Sequence, residues 1–163
     1  MEYAVLFLPL LGALVGFFGR NIFNFFCEIT TSLFTLIAAI FAILIFYNGL
    51  FNNNYGNYKI FEWISSGNFV ANWSINIDPL SSIMLVVVTS VSSLVHIYSI
   101  GYMSHDLSKP RFLSYLSLFT FSMLALVVSD NFLQLFFGWE GVGLCSYLLI
   151  GFWYKKETAN NAA

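Results

Sequence analysis

The sequence predicts an all-α membrane protein with about five transmembrane helices and a short external β-hairpin between the second and third helices. Composition is the first observation: of 163 residues, 59% are hydrophobic and 9% are charged. A soluble domain carries about 25% charged residues, and membrane spans exclude charge because lipid does not solvate it. The second observation is that the apolar residues fall into five runs near the roughly 20 residues that cross a bilayer as a helix. The third is an alternating polar and apolar segment in one connection, which is typical of a strand.

The five apolar runs are interpreted as the spans of a single membrane domain that covers the whole chain. They are residues 3–19, 30–51, 79–103, 112–129 and 131–153. Asp78 can cap the third helix with Pro79 in its first turn, and Pro110 has the same place before the fourth helix. Ser129 and Asp130 end the fourth helix and can cap the fifth, which predicts a tight antiparallel pair.

The connection between the second and third spans predicts the hairpin. Residues 57–64 are rich in aromatic and β-branched types, and residues 65–68 have turn chemistry. Residues 70–77 alternate, with Trp73, Ile75 and Ile77 on one face and Asn72, Ser74 and Asn76 on the other. Two such segments around a turn are typical of a β-hairpin. Trp63 and Trp73 suit the membrane interface or a partner subunit.

Basic residues predict the orientation of the chain. In the connections on one side lie Arg20, Lys109, Arg111, Lys155 and Lys156, whereas the other side has Lys59. Cytoplasmic or matrix loops carry the excess of Lys and Arg. We therefore expect a multi-pass protein with its N-terminus outside and its C-terminus in the cytoplasm.

Composition and motifs exclude several functions. Six basic and eight acidic residues give no reason to expect a nucleic-acid partner. The sequence has no glycine-rich phosphate loop, nucleophile elbow or histidine–cysteine cluster. Cys27 and Cys145 lie in or beside apolar runs and are interpreted as buried hydrophobes. We expect this chain itself to bind no metal, nucleotide or redox centre.

Glu140 is the sharpest candidate for chemistry because it lies inside the fifth predicted span. It is about 14 Å from the start of that helix at 1.5 Å per residue, near the midplane of a hydrocarbon core about 30 Å thick. An ionised carboxylate at this depth is costly unless it is paired or hydrated. The functional interpretation is a proton- or ion-binding site, and the alternative is a structural hydrogen bond to a neighbouring helix.

The surroundings of Glu140 predict a packed site rather than a lipid-facing one. Gly138, Gly141 and Gly143 flank it, and small residues let helices approach closely and leave room for water. At helical spacing, Glu140 shares a face with Phe136, Phe137, Gly143, Leu144 and Tyr147. We interpret the aromatic residues of this face as packing.

A stripe of polar residues on the third helix is a second candidate. Its members, at i, i+3, i+4 and i+7 spacing, are Thr89, Ser92, Ser93, His96 and Ser99. Such a stripe could order a file of water molecules as a proton path, or it could hold neighbouring helices together by hydrogen bonds. An imidazole titrates near physiological pH, so His96 could shuttle protons or could equally be a satisfied histidine of the bundle. His105 lies beside Asp106 and Lys109 in a loop, where a solvated role is expected.

Several segments together resemble a known family. They are residues 77–81, 96–103, 111–112 and 130–153, and residues 138–143 read Gly-Trp-Glu-Gly-Val-Gly. The chain resembles, over essentially its whole length, the N-terminal portion of the chain 5 (subunit L) membrane subunit of NADH:quinone oxidoreductase, respiratory complex I.

The resemblance implies an antiporter-like subunit that couples NADH oxidation and quinone reduction to proton transport. It implies that NADH, FMN, iron–sulfur clusters and quinone are used by other subunits of the complex. It also implies that a glutamate matched by Glu140 pairs with a lysine on a later helix. Other membrane subunits and the lipid bilayer are the implied partners.

This chain ends before the helices that carry those lysines in the family. We therefore expect it to be a fragment or a split product that needs a partner or continuation and is not active alone. The alternatives are a subunit of a multisubunit Na⁺/H⁺ antiporter, or a structural or assembly remnant with no transport role. A bacterial inner membrane is the expected location, and the mitochondrial inner membrane is the alternative.

Overall fold

The computed structural model describes residues 1–19, 24–52, 55–67, 69–104, 106 and 108–163. It contains the elements α1 (Glu2–Gly19), α2 (Asn24–Asn52), β1 (Gly56–Ser66), β2 (Phe69–Ile77), α3 (Pro79–Tyr102), α4 (Lys109–Val127), α5 (Phe132–Ile150), a short 3₁₀ turn (Gly151–Trp153) and α6 (Glu157–Ala162). Among the described residues, five helices are long and apolar enough to cross a membrane. The predicted class and the hairpin between the second and third helices are confirmed.

The helix bounds differ from the predicted spans at several places, including the start of α4 at Lys109 rather than near residue 112. The second helix begins at Asn24 rather than near residue 30, so that Glu28 lies within its early turns. This is possible because Glu28 is paired: its Oε2 lies 2.6 Å from Lys109 Nζ. The fifth helix is α-helical only to Ile150 and then tightens into the 3₁₀ turn. The short α6 was not predicted.

The helices form an antiparallel bundle with α4 at its centre. α4 packs against α1, α2, α3 and α5, while α5 packs chiefly on α4. We call the end that carries the β-hairpin the hairpin end, and the opposite end, with Lys109, Arg111, Lys155 and Lys156, the basic end. The hairpin end contains the main apolar cluster, in which Ile75 and Ile77 of β2 contact residues of α1, α2, α3 and α4.

The hairpin is antiparallel, and Gly67 in its turn has a φ of 58°, which favours glycine. The predicted alternation of β2 holds for the buried Ile75 and Ile77 but fails at Ser74, which is also buried. Ser74 can be buried because its backbone is hydrogen-bonded to Gln134 in the first turn of α5 and its hydroxyl to Asp130 in the α4–α5 turn. Burial of a polar group requires such partners.

Local capping explains where two helices begin. Asp78 and Ser81 form a reciprocal capping box at the start of α3, with Pro79 in the first turn, as the sequence predicts. The prediction that Ser129 or Asp130 caps α5 is wrong. The N-cap is Asn131, whose Oδ1 accepts a hydrogen bond from the Gln134 N–H at 2.9 Å. Asp130 is used elsewhere, because its Oδ2 accepts a hydrogen bond from the Ser74 hydroxyl.

Contacts at the basic end connect the start of α4 to the 3₁₀ turn that follows α5. The Arg111 guanidinium lies 4.7 Å from the ring centroid of Phe152, and Trp153 Nε1 donates to Asp106 Oδ2 at 3.1 Å. The Ser108 N–H also donates to Asp106, and this bond and the Trp153 bond hold the pKa of the Asp106 carboxyl below its usual range. Arg20 and His105 lie outside the described residues, so their predicted positions stay predictions.

Candidate proton-transfer site

Glu140 lies midway along α5, at the edge of a groove between α4 and α5. The groove has a volume of about 440 Å³. It is lined by Leu118, Phe121 and Ser122 of α4 and by Phe137, Glu140, Gly141, Leu144 and Cys145 of α5. Glu140 is exposed, and in the described part of the chain its carboxylate has no hydrogen-bond or ion-pair partner. A carboxylate inside a spanning segment therefore faces outward from this bundle.

Glycines explain how α5 approaches α4 so closely. A Cβ at Gly138 would lie 2.7 Å from the Leu126 Cα, and one at Gly141 would lie 2.7 Å from the Ser122 Oγ. These contacts agree with the prediction that small residues allow close packing. Gly143 differs, because a Cβ there would meet nothing within 4 Å.

Among the described helices, most of the face of α5 that bears Glu140 meets no neighbour. Its side chains Phe136, Trp139, Leu144 and Tyr147 are each more than half exposed. The buried positions of α5 are Gln134, Gly138 and Cys145, which form a stripe against α4. Whether this face packs against a further helix stays a prediction, because the periodicity identifies a shared face but not which neighbour meets it.

His96 is fully buried, and its Nε2 joins α3 to α4. Its Nε2 lies 2.9 Å from the Ser117 Oγ, and its Nδ1 lies 2.8 Å from the backbone oxygen of Ser92. The Ser92 Oγ lies 2.6 Å from the Thr120 Oγ1 and 3.4 Å from His96 Nδ1. The four side chains form a continuous polar chain in the order Thr120, Ser92, His96, Ser117.

The partners of His96 define its tautomer. A carbonyl oxygen only accepts, so Nδ1 must carry the hydrogen that is donated to the Ser92 carbonyl. Nε2 is then free to accept a hydrogen bond from the Ser117 hydroxyl. Both nitrogens are satisfied while the ring is neutral.

The other members of the predicted stripe are used differently. Thr89 and Ser99 donate to backbone oxygens one turn earlier in α3. Ser93 does the same and also donates to the Thr35 backbone oxygen of α2 at 3.0 Å. These three residues are buried and hydrogen-bonded within or between helices, whereas Ser92 and His96 reach across to α4.

Sequence reasoning missed the α4 half of this polar network. Ser114, Ser117 and Thr120 are all buried and recur at i, i+3 spacing on one face of α4. The signal was present in the sequence as a hydroxyl stripe matching the one on α3. It was hidden because α4 is otherwise apolar and hydroxyls are common as structural hydrogen-bond donors to the preceding turn.

Glu140 and the His96 network lie beside different faces of α4. Ser117 and Thr120 face α3, whereas Leu118, Phe121 and Ser122 line the groove of Glu140. No hydrogen bond among the described residues connects the two sites. In the same part of the chain, no group of three or more His, Cys, Asp or Glu residues could hold a metal ion.

The spanning helices, the mid-helix acid and the buried histidine place this chain in the class of polytopic α-helical membrane proteins with intramembrane titratable groups. Residues 63–113 match the family described as NADH-ubiquinone oxidoreductase (complex I), chain 5 N-terminus. Residues 129–163 match the family described as NADH:quinone oxidoreductase/Mrp antiporter, TM. The first match contains His96 and the hydroxyl stripe, and the second contains Glu140.

Individual relatives agree with these matches. NADH-quinone oxidoreductase subunit L of Rickettsia bellii is 56% identical over 98% of this chain and 25% of its own length. NADH-ubiquinone oxidoreductase chain 5 of Phytophthora infestans is 51% identical over 98% of this chain and 24% of its own. Chain 5 of Arabidopsis thaliana is 50% identical over the whole chain and 24% of its own. The chain belongs to the chain 5/subunit L family and spans about a quarter of the length of these curated relatives.

Proposed function

We propose that this chain forms the N-terminal part of a proton-translocating, antiporter-like membrane subunit of NADH:quinone oxidoreductase. In that role it belongs to an enzyme that couples NADH oxidation and quinone reduction to proton transport, while the redox chemistry takes place on cofactors of other subunits. The observation that carries the proposal is Glu140, a carboxylate midway along a spanning helix within a segment that matches the antiporter family. An intramembrane acid is costly and therefore favours a functional role.

Glu140 acts as a proton-binding group that depends on a cation from outside the described helices. Its exposed position on α5 supports this, because an ionised carboxylate in lipid needs a partner. The family resemblance gives that partner as a lysine of a later helix, supplied by a continuation or by a partner chain. Other membrane subunits of the complex complete the surroundings.

The polar chain on α3 and α4 forms a proton path next to this site. His96 accepts a proton at Nε2 from the Ser117 side and releases its Nδ1 proton toward the Ser92 Oγ, which lies 3.4 Å away. Thr89, Ser93 and Ser99 lie along the same stripe of α3, but their hydroxyls donate to backbone oxygens and are not links of this chain. Water or a further helix must carry protons between this path and Glu140, since α4 lies between them.

A multisubunit Na⁺/H⁺ antiporter is the second candidate, and a specific observation favours it: the match over residues 129–163 is to a family that includes Mrp antiporters. Co-purification separates the two candidates. A redox arm that co-purifies with the full-length protein supports the complex I role, and its absence together with Na⁺-dependent proton exchange supports the antiporter.

The chain lies in an inner membrane, as its spanning helices and its complex I relatives indicate. We propose a bacterial inner membrane with the N-terminus outside and the C-terminus in the cytoplasm, and the mitochondrial inner membrane as the alternative. The basic end with Lys109, Arg111, Lys155 and Lys156 supports this orientation.

Replacement of Glu140 by Gln tests the proposed function. Glu140→Gln keeps the size and polarity of the side chain but cannot ionise, so proton pumping per NADH oxidised should be lost while the complex still assembles. The matched control is Glu62→Gln, an exposed acid of the hairpin, which should pump normally. Normal pumping by an assembled Glu140→Gln complex would instead favour a structural or assembly role.

A further inference from the structure

Phe137 lies on α5 between Glu140 and the hairpin end of the bundle. It lies one helical turn before Glu140 on α5 and lines the same groove. Two tryptophans of the hairpin hold its ring: the ring centroid of Trp73 is 4.8 Å away and that of Trp63 is 6.2 Å away, both edge-to-face. The two tryptophan rings also contact each other at 5.2 Å. We call Trp63, Trp73 and Phe137 the aromatic cluster.

The hairpin that carries the two tryptophans is itself fixed to α5. Gln134 Nε2 donates to the Ser74 backbone oxygen at 2.8 Å, and the Ser74 N–H donates to Gln134 Oε1 at 3.1 Å. Asn131 Nδ2 donates to the Asn72 backbone oxygen at 2.7 Å. These bonds flank Trp73 in the strand, so the aromatic cluster is held against the first half of α5.

The two sides of Glu140 differ in the size of their side chains. Toward the hairpin end the groove is lined by the ring of Phe137, which is backed by Trp73 and Trp63. Toward the basic end it is lined by Gly141, Leu144 and Cys145 of α5 and by Leu118 of α4, none of which is aromatic. Apolar constrictions block water and ions because they dewet, so the aromatic side should be the drier one.

We infer that the aromatic cluster is a barrier that isolates Glu140 from the aqueous phase on the hairpin side of the membrane. Phe137 is the positioning residue that closes the groove, and Trp63 and Trp73 hold its ring in place. Glu140 then exchanges protons from the basic side or from neighbouring helices, and leak from the hairpin side is prevented. This inference rests on the proposed function of Glu140 as a proton-binding group.

Cysteine accessibility tests the barrier without requiring proton pumping. In the full-length protein in its assembled complex, Glu140→Cys is treated with a membrane-impermeant maleimide added to one face of the membrane at a time. From the hairpin side it should react much more slowly than Glu62→Cys, which marks the exposed hairpin. Adding Phe137→Ala should raise that rate several-fold.

The controls separate the barrier from general loosening of the groove. Leu144→Ala, on the basic side of Glu140, should leave the rate from the hairpin side unchanged, and Trp73→Phe should preserve most of the protection because it keeps a ring. If Phe137→Ala does not assemble, Phe137→Leu should give a smaller increase in the same direction. An unchanged rate in the Phe137 variants, or unprotected reaction of Glu140→Cys itself, overturns the inference. Loss of the proposed function would appear separately, as normal pumping by Glu140→Gln.

Discussion

At the scale of residues, the buried hydroxyl groups of α3 fall into two kinds. Thr89 and Ser99 bond only within their own helix, which satisfies the hydroxyl but moves no proton between helices. Ser92 and His96 bond across to Thr120 and Ser117. The proposed proton path therefore involves fewer residues of α3 than the polar stripe in the sequence contains, and it includes Ser117 and Thr120 of α4.

Replacing His96 tests this narrower path. His96→Gln retains a donor and an acceptor of similar reach, so we expect the complex to assemble but proton transport to fall, because an amide does not titrate. Transport rate and assembly are measured together in membranes with a pH-sensitive dye. Ser146→Ala is the control, since the Ser146 hydroxyl bonds only to the Val142 backbone oxygen. Unchanged transport in His96→Gln would identify His96 as structural.

At the scale of elements, the hairpin is an integral part of the bundle rather than an appended loop. β2 buries Ile75 and Ile77 in the apolar cluster, and its backbone bonds to the α4–α5 turn, including Asn76 N–H to the Val128 oxygen at 2.9 Å. The hairpin therefore fixes where α5 begins. Because Glu140 lies along the same rigid helix, the hairpin also sets its depth and rotation.

Gln134 should contribute strongly to this attachment because it is fully buried and bonds to both backbone groups of Ser74. Gln134→Leu leaves the N–H and the oxygen of Ser74 without partners, and each buried unsatisfied group costs about 1–3 kcal/mol. We expect a lower thermal midpoint of the purified protein and faster amide hydrogen exchange in β2. Lys59→Ala, which removes an exposed ion pair of the same hairpin, should change neither quantity.

At the scale of the whole molecule, span length and loop chemistry were enough to predict the five helices, the hairpin and the capping of α3. Pairings between distant segments were not predictable, because nothing local in Glu28 or Lys109 indicates that they meet. The same holds for Ser117 beside His96 and Gln134 beside Ser74, which are brought together only by helix packing. Motif resemblance pointed to Glu140 as a candidate, but periodicity could not tell that no described helix meets most of its face.

The Glu28–Lys109 pair shows how such a distant contact stabilises the entire bundle. It joins the start of α2 to the start of α4 at the basic end, and the two side chains are only 12% and 11% exposed. Removing one partner of a fully buried pair leaves an uncompensated charge and costs about 3–5 kcal/mol, which is the upper bound for this partly buried pair. Glu28→Gln and Lys109→Met should therefore each lower the free energy of unfolding substantially.

A double-mutant cycle on this pair distinguishes ion pairing from the loss of either side chain alone. The combined Glu28→Gln/Lys109→Met variant contains neither charge, so it should be more stable than the sum of the two single effects predicts. Unfolding in mixed detergent micelles gives the four free energies of unfolding, of the unchanged protein, the two single variants and the double variant, under one condition. Strict additivity would mean that the two charges do not interact in the membrane. A double variant that is more stable than the sum predicts would show that the pair stabilises the basic end. Lys109 would then contribute to the stability of the fold as well as to the excess of basic residues at that end.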